Sequence, residues 1–499
     1  MVVLPGDANK VNRVTSSFRL WVLAASITIL PLAAQAQFDK DYTPAAFLDT
    51  IPADLLQTLT KRAEAEKSSL SLERGKVEGY ASELLDDRLK FLVDYFNKDY
   101  FILESDLTIY MDKVLQRIQA ANPELPDSLM VLPFRSASVN AVNFGNGVIA
   151  FMLGLMARME NEDQVAFVIC HELAHSYARH GEKKIVAYAK LNYDKDLKKR
   201  VNEAKRSTYL QYSQLMKIMK ELHFSMNRHS RENELEADSL ALVFYLRAGY
   251  RPEGSLETMD ILNRADSDLY ASPPDLRKRF QSSRYPFKES WLTYTPPTAW
   301  IRRSMDPELD TSRTHPDCPL RKDALRRQLG SAAKPETPAP APWVFGPQAQ
   351  FEVVESSFHF KKYGYALYAS LQLIERYPRN GYLHAMIIKC LFYIYLSQKN
   401  HELGKVVELP DSRFSDSYNR FLSFIHQLRL SELSALSYHY AISQDEQTFT
   451  NEHFLYALWL SSQLPVSELD PLTIHEDYVS RYPKGRYQGL MKKPLTPKP

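Results

Sequence analysis

Cysteine is scarce in this chain. Its 499 residues hold three, Cys170, Cys318 and Cys390, each in a different segment. At most one disulfide can form, so no disulfide framework holds the fold. Net charge is small as well: 62 Lys and Arg against 60 Asp and Glu leave +2, which gives no reason to propose nucleic acid as a partner. Apolar runs long enough to cross a bilayer are missing beyond the first 36 residues, so no integral membrane span is expected in the mature chain.

The first 36 residues read differently. Lys10, Arg13 and Arg19 precede an apolar run over 20–32, and Ala34, Gln35 and Ala36 follow. A basic region, an apolar stretch too short to span and a small-residue cleavage site make a signal peptide over 1–36. The alternative is an uncleaved anchor. The expectation is an exported protein, periplasmic or secreted, beginning at Gln37.

What is present is a zinc-binding pattern at 167–175, Phe-Val-Ile-Cys-His-Glu-Leu-Ala-His. On a helix, His171 and His175 lie one turn apart on one face and can reach a single metal ion. Glu172 beside them is placed to take a proton from a water held at that metal, the division of labour of H-E-x-x-H in metalloproteases. The bland reading is an amphipathic core helix with these residues by accident. Val165, Ala166, Val168 and Ile169 would bury the helix, while Arg179 and His180 before Gly181 suggest a cationic last turn and a glycine stop. The expected helix runs from about residue 162 to 180. Cys170 reads as a packed small hydrophobe.

A catalytic zinc usually keeps three protein ligands and one open position. His180 fails as the third, because nine residues from His171 is the opposite side of a continuous helix, and the position ten residues on is Gly181. His180 is therefore read as a helix-end cation. Further on, Glu234 and Asp238 are one turn apart, so one carboxylate could bind zinc while the other fixes the ligating tautomer of His171. Glu232 and Glu236 form a rival pair at the same spacing, and spacing does not separate the two.

Residues 85–330 resemble the zinc metallopeptidase family that includes the CAAX prenyl proteases, the heat-shock protease HtpX and periplasmic relatives such as BepA. That family joins an H-E-x-x-H helix to a later E-x-x-x-D helix, which Glu234 and Asp238 match. It also places an Asn-Ala pair and a glycine-flanked strand before the helix, matched by Asn140, Ala141 and the run Gly147, Val148, Ile149, Ala150, Phe151, Met152. The resemblance implies zinc ligands His171, His175 and Glu234, one Zn2+ per chain, and Asp238 orienting a ligand histidine. It also implies a substrate-binding edge strand at Gly147 to Phe151. Thr314-His315-Pro316 with Arg321 downstream looks like the family's His-Pro motif. His315 would then stabilise the oxyanion or hold the open zinc position. The run 272–277, Ser-Pro-Pro-Asp-Leu-Arg, is a competitor lacking the histidine.

Around the motif, apolar spacing is helical over 44–122, and the short runs 129–134, 139–142 and 148–151 suggest a small sheet. Its edge strand can pair with an extended substrate backbone. Between the metal helices, 183–231 is long and basic, with Tyr212, Leu215, Met219, Leu222 and Met226 at helical spacing, so a helical hairpin is expected there. It reads as a solvated basic face, with a lid or a surface for anionic lipid heads as the functional alternative. Residues 251–313 are polar and proline-rich. Pro335, Pro338, Pro340 and Pro342 mark a linker over 331–349.

Beyond it, Tyr363, Ala366 and Pro378 match late positions of a tetratricopeptide repeat, and Arg376-Tyr377-Pro378 recurs as Arg481-Tyr482-Pro483. The expected layout is a metallopeptidase domain over 37–330, tetratricopeptide-like helices over 350–490 and a tail over 491–499. The fold class is mainly α (α+β), a zincin-type domain with a small sheet and an active-site helix, then a helical repeat domain. Few contacts should cross the linker, so a chain ending near Ala333 is expected to fold. The expected function is zinc-dependent endopeptidase action on protein substrates in cell-envelope quality control, with partners held by the repeats. The other class is a non-catalytic adaptor, against which Glu172 argues, since a structural zinc needs no general base.

Overall fold

The computed structural model describes residues 38–48, 50–70, 72, 75–206, 231–265, 267, 273–294, 318–330, 342–411, 414–445 and 448–491. The expected signal peptide, His315 and the apolar series 212–226 lie outside them. The chain is mainly helical with one small sheet, as its periodicity predicts.

Three helices come first, α1 (Ala53–Ser68), α2 (Lys76–Asn97) and α3 (Asp106–Ala121). In α3, Ser105 caps the start by accepting from the Thr108 amide, and Leu107, Met111, Val114, Leu115 and Ile118 form one buried face. Each fully buried side chain of that size stabilises the fold by about 1.5–3 kcal/mol.

The sheet holds β1 (Met130–Phe134), β2 (Ala141–Gly145) and β3 (Val148–Met152) in the order β1-β3-β2. β1 runs parallel to β3 and β2 antiparallel to it, with a register shift between Asn143 and Gly145. The β2–β3 turn needs positive φ at Gly145, Asn146 and Gly147, and a Cβ on Gly147 would come within 2.9 Å of the Ser128 carbonyl. Apolar composition singled out the strand at 148–151 correctly but not its place. Val148 and Ile149 sit in the central strand, fully buried and paired on both sides, so they have no free edge for a substrate. Among the described residues the open edge is β2, because β1 is flanked by Tyr100 to Ile102, with Arg135 N–H donating to the Tyr100 carbonyl at 2.7 Å.

After a single turn, α4 (Leu153–Met156), comes α5 (Glu162–Tyr177), capped by Asn161, which accepts from Gln164 N–H. It is buried on nearly every side, as a core helix should be. It stops before the expected 180: Arg179 takes the left-handed conformation, φ 54° and ψ 37°, and His180 begins α6 (His180–Asn192), so Gly181 lies inside a helix and is not a stop. Next come α7 (Lys195–Arg206), α8 (231–247) and α9 (Pro252–Asn263). The last, opened by a proline in its first turn, occupies sequence read as a polar, proline-rich stretch. α10 (Leu276–Phe280) and α11 (Cys318–Leu329) follow, and α11 packs on α9. All three cysteines are free and buried.

The C-terminal helices are α12 (Gly346–His359), α13 (Tyr363–Arg376), α14 (Gly381–Lys399), α15 (Asp416–Gln427), α16 (Leu430–Ile442), α17 (Glu452–Ser462) and α18 (Pro471–Arg481). The apolar α14 packs against α13, α16 and α17. The recurring Arg-Tyr-Pro has a local cause. Tyr377 and Tyr482 follow the ends of α13 and α18 with nearly the same backbone, φ −123° and ψ 62° against φ −129° and ψ 65°, because the residue before proline is driven out of the helical region.

The linker does not separate two loosely joined parts. α12 begins inside 331–349 and packs against α4, and the Trp343 indole N–H donates to the Met156 carbonyl at 2.9 Å. Glu352 on α12 pairs with Arg135 at 2.9 Å, both side chains fully buried. Phe38 and Tyr42, from the other end of the chain, lie in the core of the C-terminal helices. The expectation of few crossing contacts is corrected by these, for the apolar face of α12 completes the core around the sheet and α5.

Candidate metal centre

His171 and His175 leave α5 one turn apart, and their Nε2 atoms stand 3.1 Å from each other. Glu234, from α8, reaches both: Oε2 lies 3.5 Å from His171 Nε2 and Oε1 3.4 Å from His175 Nε2. The three donor atoms fall within 4.8 Å of one another, the one such group among the described residues. Two imidazole nitrogens and a carboxylate oxygen converging on one point form the donor set of a catalytic zinc, so these residues fit the metal.

Spacing leaves two carboxylate pairs on α8 tied, and the fold separates them: Glu234 and Asp238 reach the motif histidines, while Glu236 meets His180. Asp238 Oδ1 stands 2.9 Å from His171 Nδ1, which holds the proton on Nδ1 and leaves the Nε2 lone pair for the metal. Arg321, on α11, grips Asp238 with two bonds of 2.7 Å, from Nε and Nη2, and its Nη1 lies 3.1 Å from Glu234. The sequence singled out Arg321 only as an arginine downstream of a histidine. The rival Arg277 pairs instead with Glu289.

Charge states follow from these contacts. Burial alone would raise the Asp238 carboxyl, but the Arg321 and His171 hydrogen bonds hold it below the usual range. Burial likewise opposes ionisation of Glu234, and the two histidines with Arg321 outweigh it, keeping that carboxyl well below its ordinary value. For His171, burial lowers the pKa, yet Asp238 and Glu234 bring it up to about 10 without metal. Glu172 goes the other way: burial raises its carboxyl, with His171 and His175 opposing. A raised carboxyl in a dry site is suited to shuttling a proton. Asn143 of β2 donates to the Glu172 carbonyl at 2.9 Å, tying the edge strand to α5.

His180, dismissed on a continuous helix, lies at the centre. The left-handed Arg179 turns the chain back, so His180 Nδ1 stands 2.9 Å from His175 Nδ1 and His180 Nε2 3.2 Å from Glu236. Neither Arg179 nor its neighbours signal that turn. A small pocket of about 20 Å³ opens beside His171 and Glu172, walled by Ala141, Leu155, Phe167, Val168, Met259 and Leu262. Of the residues expected to bind substrate, Ala141 reaches this wall and Asn140 adjoins β2, whereas Gly147 lies in the turn and Val148 and Ile149 in the central strand.

Residues 107–328 match the model of peptidase family M48. The chain is also similar to the mitochondrial metalloendopeptidase OMA1 of Schizosaccharomyces pombe, 28% identical over 209 residues, which is 39% of this chain and 55% of that protein. The chain thus spans about half the length of the curated relative it matches. The sheet and the residues of the centre named above lie within the family match, and the two findings support a metallopeptidase. No helix among the described residues is long and apolar enough to cross a membrane.

Proposed function

We propose that this chain is a zinc-dependent endopeptidase, exported, that cleaves proteins of the cell envelope in quality control. The observation that carries the reading is the convergence of His171, His175 and Glu234 beside a buried Glu172 that binds none of them. When bound, zinc would supply Lewis acidity, polarising the scissile carbonyl and easing ionisation of a water. The chain's own residues do the rest. An extended substrate pairs with the open edge of β2, which Asn143 joins to the helix of the centre. Glu172 takes the proton of the attacking water and passes it to the leaving amine. Asp238 and Arg321 hold His171 in its ligating tautomer, and the pocket walled by Met259 and Leu262 receives a side chain next to the cut bond. Partners bound through the C-terminal helices would bring substrates to the site.

The test is metal analysis of the purified mature protein together with cleavage of an unfolded envelope protein, with and without chelator. Zinc near one equivalent and chelator-sensitive cleavage are expected. Zinc without cleavage would leave the adaptor reading, in which the metal only supports the fold.

A further inference from the structure

We propose that His180 and Glu236 form a positioning chain for the metal ligand His175, separate from the Arg321–Asp238 pair that serves His171. The inference rests on the zinc reading above and concerns residues that the motif leaves out.

Glu236 Oε2 lies 3.2 Å from His180 Nε2, and His180 Nδ1 lies 2.9 Å from His175 Nδ1. A carboxylate only accepts, so the proton between the first two belongs to His180 Nε2. A neutral His180 then has a lone pair at Nδ1, and the proton between the two rings belongs to His175 Nδ1. That leaves His175 Nε2 without a proton and turned toward His171 and Glu234. The two rings cross at 72° with centroids 4.9 Å apart, an arrangement in which in-plane nitrogens meet and the faces do not stack. His180 is buried, 4% exposed, whereas the Glu236 side chain is 53% exposed. The chain thus runs from the surface to the metal position.

Each imidazole therefore has its own outer partner, from a different direction. Asp238 and Arg321 approach His171 from α8 and α11, and His180 approaches His175 from the first turn of α6. The break at Arg179 is what makes this possible. A continuous helix would carry His180 about 180° away from His171, and the left-handed residue returns it to the ligand face.

Outer partners of zinc-binding histidines typically contribute 10- to 100-fold in metal affinity. The test is zinc affinity by chelator competition on the full chain, with melting of each metal-free variant and the visible spectrum of the cobalt-substituted protein. His180→Ala should weaken zinc about 10- to 100-fold and perturb the cobalt spectrum. His180→Asn keeps an acceptor near the Nδ1 position and should recover most of the affinity. Glu236→Ala, at the exposed end, should weaken zinc by less than His180→Ala and keep one equivalent. A merely structural His180 would lower the metal-free melting temperature in both His180 variants and leave the remaining zinc affinity alike, which overturns the proposal, as does wild-type affinity in His180→Ala. The failure of the peptidase reading looks different: wild-type protein would bind zinc and cleave nothing, with the affinity differences intact.

Discussion

Glu172 is buried at 8% exposure between the two ligand histidines in sequence, and its carboxyl is raised by that burial. Glu172→Gln removes the proton acceptor and no ligand, so metal content should stay at the wild-type level while cleavage falls by at least about 100-fold, measured on one preparation. Glu234→Ala should lose zinc, since it deletes one of three donors. His171 sets a pH dependence. Its folded pKa in the metal-free protein, about 10, lies above the ordinary 6.5, so its stabilising contribution is complete below about 6.5 and is lost as pH rises through about 10. Melting of the chelated protein between pH 6 and pH 10 should show stability falling with pH, and zinc should weaken the trend by replacing the proton at Nε2. At this scale helical spacing placed His171, Glu172 and His175 on one turn, while it left Glu234 and Asp238 tied with Glu232 and Glu236, and the family resemblance chose between the pairs. The sequence marked Arg321 without its contact to Asp238 and misled on His180, because neither position follows from a single unbroken helix.

Among the elements, α5 and α9 shape the pocket beside Glu172. Val168 lies one turn before His171 on α5, and Met259 and Leu262 face it from α9. At about 20 Å³ the pocket has room for a group of about methyl size. Met259→Ala should enlarge it and move cleavage toward substrates with larger apolar residues next to the cut bond, read by sequencing the products of a peptide mixture. An unchanged product pattern would take this pocket out of substrate recognition. The helix that provides two of its walls lies in a stretch whose composition is polar and proline-rich. Pro252 accounts for both, being a breaker in mid-chain and a favoured opener in a helix's first turn. The strand at 148–151 shows the same limit. Its short apolar run suggests a strand, but only pairing with β1 and β2 makes it central.

The whole molecule is joined by groups that lie more than 200 residues apart. Arg135 and Glu352 are an ion pair with no exposure, and Tyr42 donates to the same Glu352, which also accepts from the Ala45 amide at 2.7 Å. Removing one partner of such a pair strands the other without solvent, so Glu352→Ala should cost about 3–5 kcal/mol in denaturant unfolding. A chain ending near Ala333 removes Trp343, Ala349 and Val353 from the core around α5 and leaves the buried Arg135 without its carboxylate. It should be unfolded or aggregated by circular dichroism and sedimentation. A soluble, cooperatively melting fragment that binds zinc would show that these contacts are dispensable.

From the sequence alone came the candidate donors and the mainly helical class: two histidines and a glutamate on one turn, two tied pairs of carboxylates on another, apolar residues at helical spacing. The tertiary structure decided which carboxylate partners which histidine, which strand is the edge, and that α12 closes the core around the sheet. Those outcomes depend on approach between distant segments, through Arg321 to Asp238 and Arg135 to Glu352. No window of sequence contains both ends of such a contact.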